Sequence, residues 1–160
     1  MFSFRKLNSA IAFVLFALLS LQAHAQLADK KAMTLEAATR IATAAEAEAR
    51  KNNWNVVIAI VDDGGHLVLL RRIDGTQTGS IDVAIGKAKT SAAFKRPTKV
   101  FDDLAKNRPS ITTIAADAVL LEGGVPIMVG GQLVGAVGVS GVTSQQDAQI
   151  AEAGIAALGM

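Results

Sequence analysis

The fold is decided by residues 56–67, which read VVIAIVDDGGHL. The first six residues are apolar and rich in β-branched side chains, a pattern typical of a strand that is covered on both faces. Asp62-Asp63-Gly64-Gly65 follows as a strong turn signal, and residues 66–73 predict a returning strand. We therefore predict a β-hairpin near the middle of the chain, with His66 directly after its turn.

A second hairpin is predicted towards the C-terminal end. The short apolar segments Ile127–Val129 and Leu133–Val139 flank Gly130-Gly131, a dipeptide that suits a tight turn. Residues 110–121 precede this hairpin and show no clear periodicity, so we expect a loop or a short helix there.

Amphipathic helices are predicted around both hairpins. In the first of them the apolar positions recur at spacings of three and four and are mostly alanine, which lets a helix lie close to a sheet. The predicted helices and their expected capping side chains are 34–51 with Thr34, 80–94 with Ser80, 98–107 with Thr98, and 144–158 with Ser144. This order of elements predicts a single α/β domain, a central and mainly antiparallel sheet of β-hairpins flanked by helices.

The N-terminal 25 residues have the features of a signal peptide. Arg5 and Lys6 precede an apolar run over residues 10–21, and Ala23-His24-Ala25 is the small-x-small pattern that signal peptidase cleaves. An apolar run of about 12 residues is too short to cross about 30 Å of hydrocarbon as a helix. We therefore predict a signal peptide at 1–25 and a mature domain at 26–160 that is periplasmic or secreted, with no stable membrane anchor after processing.

The charge balance argues against nucleic acid as a partner. The chain has 16 Lys and Arg residues against 14 Asp and Glu. Because the predicted signal peptide contains Arg5 and Lys6, its removal leaves the mature domain formally neutral. Tyrosine is absent and Trp54 is the only tryptophan, so a platform of aromatic side chains for base stacking is not expected.

The absence of cysteine limits the metal and catalytic chemistry. Disulfides, thiolate metal sites and cysteine nucleophiles are excluded. His66 is the one histidine left once His24 is removed with the signal peptide, so a site with several histidines cannot form within one subunit. His66 is either an ordinary surface or interface histidine, or a ligand to a metal or a haem iron.

The glycine-rich segment 135–141, GAVGVSG, has the composition of a nucleotide-binding loop but not its context. Its glycines recur every third residue through a predicted strand, whereas a dinucleotide-binding loop has them between a strand and a helix. We expect them instead to admit the close approach of a helix. Ser140 within this segment falls one residue short of the hydrolase motif and has only His66 as a candidate base, so hydrolysis is not favoured.

The charged residues of the loops have simple structural explanations. Asp62 and Asp63 suit a tight turn, and Asp82 suits the N-terminal turn of a helix. A carboxylate metal site that draws on these residues and Asp117 is the alternative. Lys95, Arg96 and Lys99 lie between two predicted helices, where a solvated edge is expected and an anion-binding site is the alternative.

Several longer segments, in the same order along the chain, resemble the GlcG/HbpS-like family of haem-binding or haem-degrading domains. The resemblance extends from about Leu35 to Leu158, nearly the whole predicted mature chain. The segments that carry it are residues 56–67, Lys87-Ala88 with Thr90, Phe94 with Arg96-Pro97-Thr98, Leu121-Glu122-Gly123-Gly124-Val125-Pro126, residues 135–141 and Gln146-Asp147-Ala148.

The resemblance implies a fold, an assembly and a function. The fold is an α/β domain with a central antiparallel sheet, and the assembly is a homo-oligomer, at least a dimer. The function is that of an exported haem-binding protein, to which the family adds haem degradation or the buffering of haem and iron. A non-catalytic accessory or sensory module that binds a small organic acid or a partner protein is the alternative, and no catalytic residue is assigned.

For a haem site, His66 is the predicted iron ligand. The resemblance brings haem into consideration, and His66 carries the only imidazole of the mature chain. Asp62 or Asp63 is expected to accept a hydrogen bond from its second ring nitrogen. The cations predicted to bind the haem propionates are Arg71, Arg72 and Arg96.

A second arrangement of haem stays open. In it, haem lies in a shallow apolar groove at a subunit interface, and a hydroxyl group, a methionine or water binds the iron. The candidate methionines are Met33, Met128 and Met160.

Overall fold

The computed structural model describes residues 28–159. The predicted signal peptide, residues 1–25, and Met160 lie outside the described residues. The chain divides into two units, residues 1–30 and residues 31–160, and the architecture below is that of the second unit.

Four strands within the described residues form one sheet in which all neighbours are antiparallel. They are β1 (Val57–Asp62), β2 (Leu67–Arg72), β3 (Gly124–Val129) and β4 (Gln132–Ser140). Their order across the sheet is β2-β1-β4-β3, so the two hairpins join through the central pair β1 and β4. Both predicted hairpins and the mainly antiparallel α/β fold are confirmed.

The part of the chain that the structure describes contains four α-helices. They are α1 (Leu35–Lys51), α2 (Ser80–Phe94), α3 (Lys99–Asn107) and α4 (Ser144–Ala156). A short 3-10 helix, Pro109–Thr113, covers the beginning of the segment for which a loop or short helix was expected. Between residues 28 and 159, no helix is both long and apolar enough to cross a membrane.

Strand β1 is covered on both faces, as its unbroken apolar sequence predicts. Ile58 and Ile60 belong to the larger core cluster, which also contains the buried residues of α1 and α4. Val57 and Ala59 alternate with them and pack with Ala84 of α2 on the opposite face. The sheet therefore has α1 and α4 on one face and α2 on the other.

The glycines of β4 allow two close approaches of neighbouring chain. A Cβ atom on Gly138 would clash with the carbonyl of Ala84 and lie 3.0 Å from the Cβ of Ala88, both on α2. The prediction that these glycines admit a helix is confirmed at Gly138. Gly135 has a different role, because its Cβ position is taken by the carbonyl of Val61 in the neighbouring strand.

Two of the predicted caps can be compared directly at α1 and α2. Thr34 caps α1 as predicted, since its hydroxyl accepts the backbone N–H of Ala37 at 3.1 Å. The prediction that Ser80 caps α2 is wrong, because Gly79 is the N-cap. Ser80 is buried, and its hydroxyl instead lies 3.3 Å from that of Ser140 on β4.

The predicted caps of α3 and α4 differ from the structure in another way. Thr98 is the N-cap of α3 by position, but its hydroxyl accepts the backbone N–H of Gly124 at 2.8 Å and so anchors the start of β3. The prediction that Ser144 caps α4 is wrong by one residue. Thr143 is the N-cap and forms a capping box with Gln146.

Candidate functional site

His66 follows the turn between β1 and β2, and its ring lies against the carboxylate of Asp62. Asp62 Oδ1 accepts the backbone N–H groups of Gly64 at 2.9 Å and of His66 at 2.8 Å, as in an Asx turn. His66 Nδ1 lies 3.3 Å from the same oxygen. A proton held on Nδ1 leaves Nε2 as the free ligand atom of a neutral imidazole.

The glycines of this turn make room for the imidazole ring. A Cβ atom on Gly64 would lie 2.9 Å from His66 Nδ1 and 3.0 Å from its Cε1, so a larger residue would displace the ring. Gly65 has a φ of 82°, in the left-handed region that favours glycine. The His66 side chain is 83% exposed, and its outer edge is therefore open to a ligand.

The carboxylate of Asp62 is stabilised in its ionised form. The backbone N–H of His66 makes the largest contribution and, with the N–H of Gly64 and the His66 ring, holds the pKa of Asp62 below its usual value. Partial desolvation acts in the opposite direction and is outweighed. At neutral pH, Asp62 is therefore an ionised acceptor beside the imidazole.

Two of the three arginines predicted to bind haem propionates lie away from His66. Arg71 and Arg72 are at the far end of β2, about 16 Å or more along the strand from His66. Arg71 binds Glu46 of α1 at 3.0 Å, and Arg72 donates to the backbone carbonyl of Thr76. Both guanidinium groups are already engaged by the protein, and neither lies beside the imidazole.

The third predicted arginine lies just beyond the end of α2. The Arg96 guanidinium is 5.9 Å from the centroid of the Phe101 ring, and its Nε donates to the carbonyl of Phe94 at 3.3 Å. Lys95 and Arg96 are exposed, and Lys99 is paired with acidic neighbours. This arrangement is the solvated edge expected from the sequence.

An apolar cavity lies beside α1 and includes one of the methionines predicted as an alternative iron ligand. Its volume is about 450 Å³, within the range of small-molecule sites. Met33 lies in its wall, whereas Met128 on β3 is 39% exposed. The residues that line the cavity are Lys31, Ala32, Met33, Ala37, Val129, Val134 and Leu158.

A second, more polar cavity lies at the opposite end of β1 from His66. It has a volume of about 370 Å³ and is lined by Arg50, Asn53, Trp54, Asn55 and Ile73. Arg50 pairs with Glu46 at 2.7 Å. This cavity combines a guanidinium, two amides and an indole ring.

A buried ion pair connects α2 with α4 and was not predicted from the sequence. Lys87 Nζ lies 2.8 Å from Asp147 Oδ2 and donates to the carbonyl of Val139 at 2.9 Å. Gly123 leaves space for the pair, since a Cβ on it would lie 2.8 Å from Lys87 Nζ. Four of the segments that carry the family resemblance thus meet at one buried contact.

Side chains of the metal-binding types are dispersed in the structure. Residues 28–159 contain no group of three or more His, Cys, Asp and Glu side chains placed to hold a metal ion together. An axial ligand to haem requires only one such side chain, and His66 stays the predicted one.

Comparison with known proteins gives a consistent result. A family model described as haem degrading protein HbpS-like matches residues 33–156. Protein GlcG of Escherichia coli (strain K12) is 43% identical over 111 residues, which cover 69% of this chain and 83% of that protein.

Two solved structures are similar along most of their length. A double mutant of Streptomyces reticuli HbpS has a TM-score of 0.79 and 34% identity, covering 86% of this chain and 94% of that one. A PduOC:heme complex has a TM-score of 0.74 and 27% identity, covering 79% of this chain and 95% of that one.

Proposed function

This chain belongs to the HbpS-like family, and on that basis we propose that it binds haem, with His66 as the axial ligand of the iron. The family description and the haem complex of a similar structure support haem as the ligand. The observation that carries the assignment of His66 is its contact with Asp62, which orients the ring and leaves Nε2 free.

The donor groups at this site fit a haem iron. A neutral imidazole is a common axial ligand, and a carboxylate on its other nitrogen fixes the tautomer and strengthens the bond to the metal. Gly64 and Gly65 have no side chains, so nothing from the turn itself crowds the outer edge of the ring. Bound haem supplies an iron centre that can take a further ligand.

Each residue of the site has a separate role in this proposal. His66 binds the iron through Nε2. Asp62 accepts a hydrogen bond from the Nδ1–H group, and it holds the turn in shape by accepting hydrogen bonds from two backbone N–H groups. Because the side chain of His66 is 83% exposed, the domain would leave its Nε2 accessible to a haem from solvent.

Hemin titration tests the proposal. The mature protein, His66→Ala and Met33→Leu are titrated while the Soret band is recorded. We expect saturable binding by the wild type and by Met33→Leu, with a displaced Soret maximum and weaker affinity for His66→Ala. An unchanged band for His66→Ala with an altered band for Met33→Leu would move the site to the apolar cavity at α1. Loss or persistence of the band after ascorbate is added in air then distinguishes haem degradation from binding.

We also propose that the protein is exported and acts in the periplasm or outside the cell. The support is the order of charged, apolar and small residues over positions 1–25. N-terminal sequencing of the exported protein should begin at Gln26. Recovery of a chain that keeps Met1 in the membrane fraction would contradict export.

A homo-oligomer is the proposed assembly. A domain of this size without disulfides buries only about two-thirds of its unfolded surface, and apolar side chains such as Leu35 and Leu121 are more than half exposed. Light scattering at micromolar concentration should give at least twice the mass of one mature chain. A mass equal to one chain would contradict it.

The polar cavity at Trp54 favours a second candidate function, the binding of a small organic acid. Glu46 is shared by Arg50 and Arg71, so the group carries one unit of positive charge, and an indole ring is available for an apolar ligand body. Because Trp54 is the only tryptophan, its fluorescence reports on this cavity alone. Titration of the haem-free protein with benzoate should change that fluorescence in the wild type and in His66→Ala, but not in Arg50→Gln. A flat response in the wild type would contradict this candidate.

A further inference from the structure

We propose that Lys89 supplies the cation that binds a haem carboxylate beside His66. The inference rests on the proposed function, because it takes haem at His66 as its starting point. It assigns a residue that the sequence did not point to, in place of the arginines predicted for this role.

Lys89 lies on α2 next to the turn that carries His66. Its Cγ is 3.8 Å from the position that a Cβ on Gly65 would take, and Gly65 directly precedes His66. Lys89 is exposed, and no residue between 28 and 159 forms a salt bridge or hydrogen bond with its ammonium group. A lysine whose ammonium has no partner among these residues therefore lies beside the turn that carries His66.

The arginines differ from Lys89 both in their position and in their existing contacts. Arg71 and Arg72 lie at the other end of β2 and already bind Glu46 and a backbone carbonyl. Recruiting either of them to haem would break an existing contact, whereas Lys89 has no such contact to lose. Its flexible four-carbon stem can also follow a carboxylate that stays partly in solvent.

Apolar surface adjoins Lys89 on the side of β2. The strand register places Leu67 opposite Val61, whose side chain packs with Ala88 of α2, so Leu67 lies on the same face of the sheet as α2. Leu67 is 48% exposed, and Ile85, one helical turn before Lys89, is half-buried. The seam between β2 and α2 thus offers apolar contact for a porphyrin edge next to Lys89 and the turn that carries His66.

The other flank of Lys89 is less suitable for an acidic ligand. A groove there has a volume of only about 210 Å³ and includes Asp117 with Ala93 and Phe94 in its wall. The carboxylate of Asp117 would repel a haem carboxylate, and the groove is smaller than typical ligand sites. The β2 side is therefore the side on which we place the porphyrin.

Hemin and its dimethyl ester, in which both carboxylates are neutral, distinguish charge from packing at Lys89. Each is titrated into the mature wild type, Lys89→Ala, Lys89→Arg and Lys51→Ala. Lys51 is an exposed lysine at the end of α1, so Lys51→Ala removes the same charge at a distance from the turn. Alanine and arginine are both good helix formers, and neither replacement at Lys89 should disturb folding.

We expect Lys89→Ala to raise the Kd for hemin by about two- to fivefold, the range of a solvent-exposed ion pair. The Soret position should not change, because the iron ligand is untouched. Lys89→Arg and Lys51→Ala should bind hemin like the wild type, and all four proteins should bind the ester alike. The effect of Lys89→Ala should shrink at high salt.

The experiments distinguish a failure of the proposed function from a failure of the role proposed for Lys89. If the wild type shows no saturable Soret band, the proposed function is wrong and this inference is overturned with it. If His66→Ala leaves the band unchanged, the assignment of His66 is wrong, and this inference is again overturned. If His66→Ala displaces the band but Lys89→Ala binds hemin like Lys51→Ala, only the role of Lys89 is wrong. An equal loss of affinity for hemin and for the ester would also overturn it, because the side chain would then act by packing.

Discussion

Lys87 Nζ lies 2.8 Å from Asp147 Oδ2, and the two side chains are only 2% and 3% exposed. The contact joins α2 to the first turn of α4. Both partners have further hydrogen bonds, Lys87 to the carbonyl of Val139 and Asp147 from the N–H of Val142. The pair is therefore a fully satisfied buried interaction, which is the condition under which a buried charge is tolerated.

Removing one partner of this pair should strongly destabilise the domain. Lys87→Met leaves the carboxylate of Asp147 buried without its counter-charge, and breaking such a pair costs about 3–5 kcal/mol. Urea denaturation should show this loss for Lys87→Met and very little for the exposed control Lys51→Met. The double variant Lys87→Met with Asp147→Leu should recover much of the loss, since it leaves no buried charge. A Lys87→Met variant as stable as the wild type would contradict the structural role of the pair.

The loss of stability of Lys87→Met relative to the wild type should become smaller as the pH falls. Burial raises the pKa of Asp147 above its usual value of 3.8, and the Lys87 ammonium opposes that rise. Without Lys87, the pKa of Asp147 in the folded protein rises further. A carboxyl with a raised pKa binds its proton more readily in the folded state, so the variant gains stability as the pH falls through that pKa. Urea titrations at about pH 7 and pH 4.5 measure the difference, and a deficit that grows on acidification would contradict this account.

Gly138→Ala should destabilise the domain, because the new Cβ would clash with the carbonyl of Ala84 on α2. We expect a loss of about 1–3 kcal/mol, as for overpacked cores. Gly79→Ala is the matched control. Nothing lies within 4 Å of its Cβ position, and its φ of −61° suits alanine, so it should change the stability by no more than about 0.5 kcal/mol. Thermal unfolding of both variants checks the contrast, and equal stabilities would contradict the close packing of β4 on α2.

Asp62→Asn should weaken hemin binding. The amide is a poorer acceptor for the Nδ1 proton than the carboxylate, and loss of such an outer partner lowers metal affinity by about tenfold or more. The Soret position should stay near that of the wild type, since His66 is retained. Asp63→Asn, in the same turn, is the control for a general change of charge. If both variants bind hemin equally well, Asp62 does not orient the ring.

Asp62 should also affect how the stability of the domain depends on pH. The pKa of Asp62 is lowered in the folded protein. Its contribution to the free energy of unfolding is therefore fully present above the pKa of the unfolded state, and it is lost as the pH falls through the pKa of the folded state. The stability advantage of the wild type over Asp62→Asn should therefore decrease between about pH 6 and pH 3. Denaturation at these two pH values measures it, and an advantage that increases on acidification would contradict the shift.

The hairpin and its glycines could be predicted from the sequence because their signals are local. The apolar run of β1, the Asx turn at Asp62 and the position of His66 after it all lie within twelve residues. The caps at Ser80 and Ser144 were mispredicted because several neighbouring residues can cap, and tertiary contacts such as the Ser80 to Ser140 hydroxyl contact decide between them.

The buried pair and the role proposed for Lys89 depend on contacts that a sequence pattern does not reveal. A lysine in a helix is usually solvated, and the inward direction of Lys87 depends on Asp147 and on the gap at Gly123, both distant in the sequence. Lys89 is two residues further along the same helix and points outward. Its nearness to Gly65 follows from the direction in which α2 crosses the sheet, which local spacing does not determine.

Rescue by free imidazole tests the assignment of His66 most directly. In His66→Gly the ligand is removed and a space is left in which imidazole can bind the iron. The account predicts that hemin bound to His66→Gly has a displaced Soret band, and that millimolar imidazole restores the wild-type band with saturation at one imidazole for each haem. A wild-type band in His66→Gly before imidazole is added would contradict the account, because another group would then hold the iron.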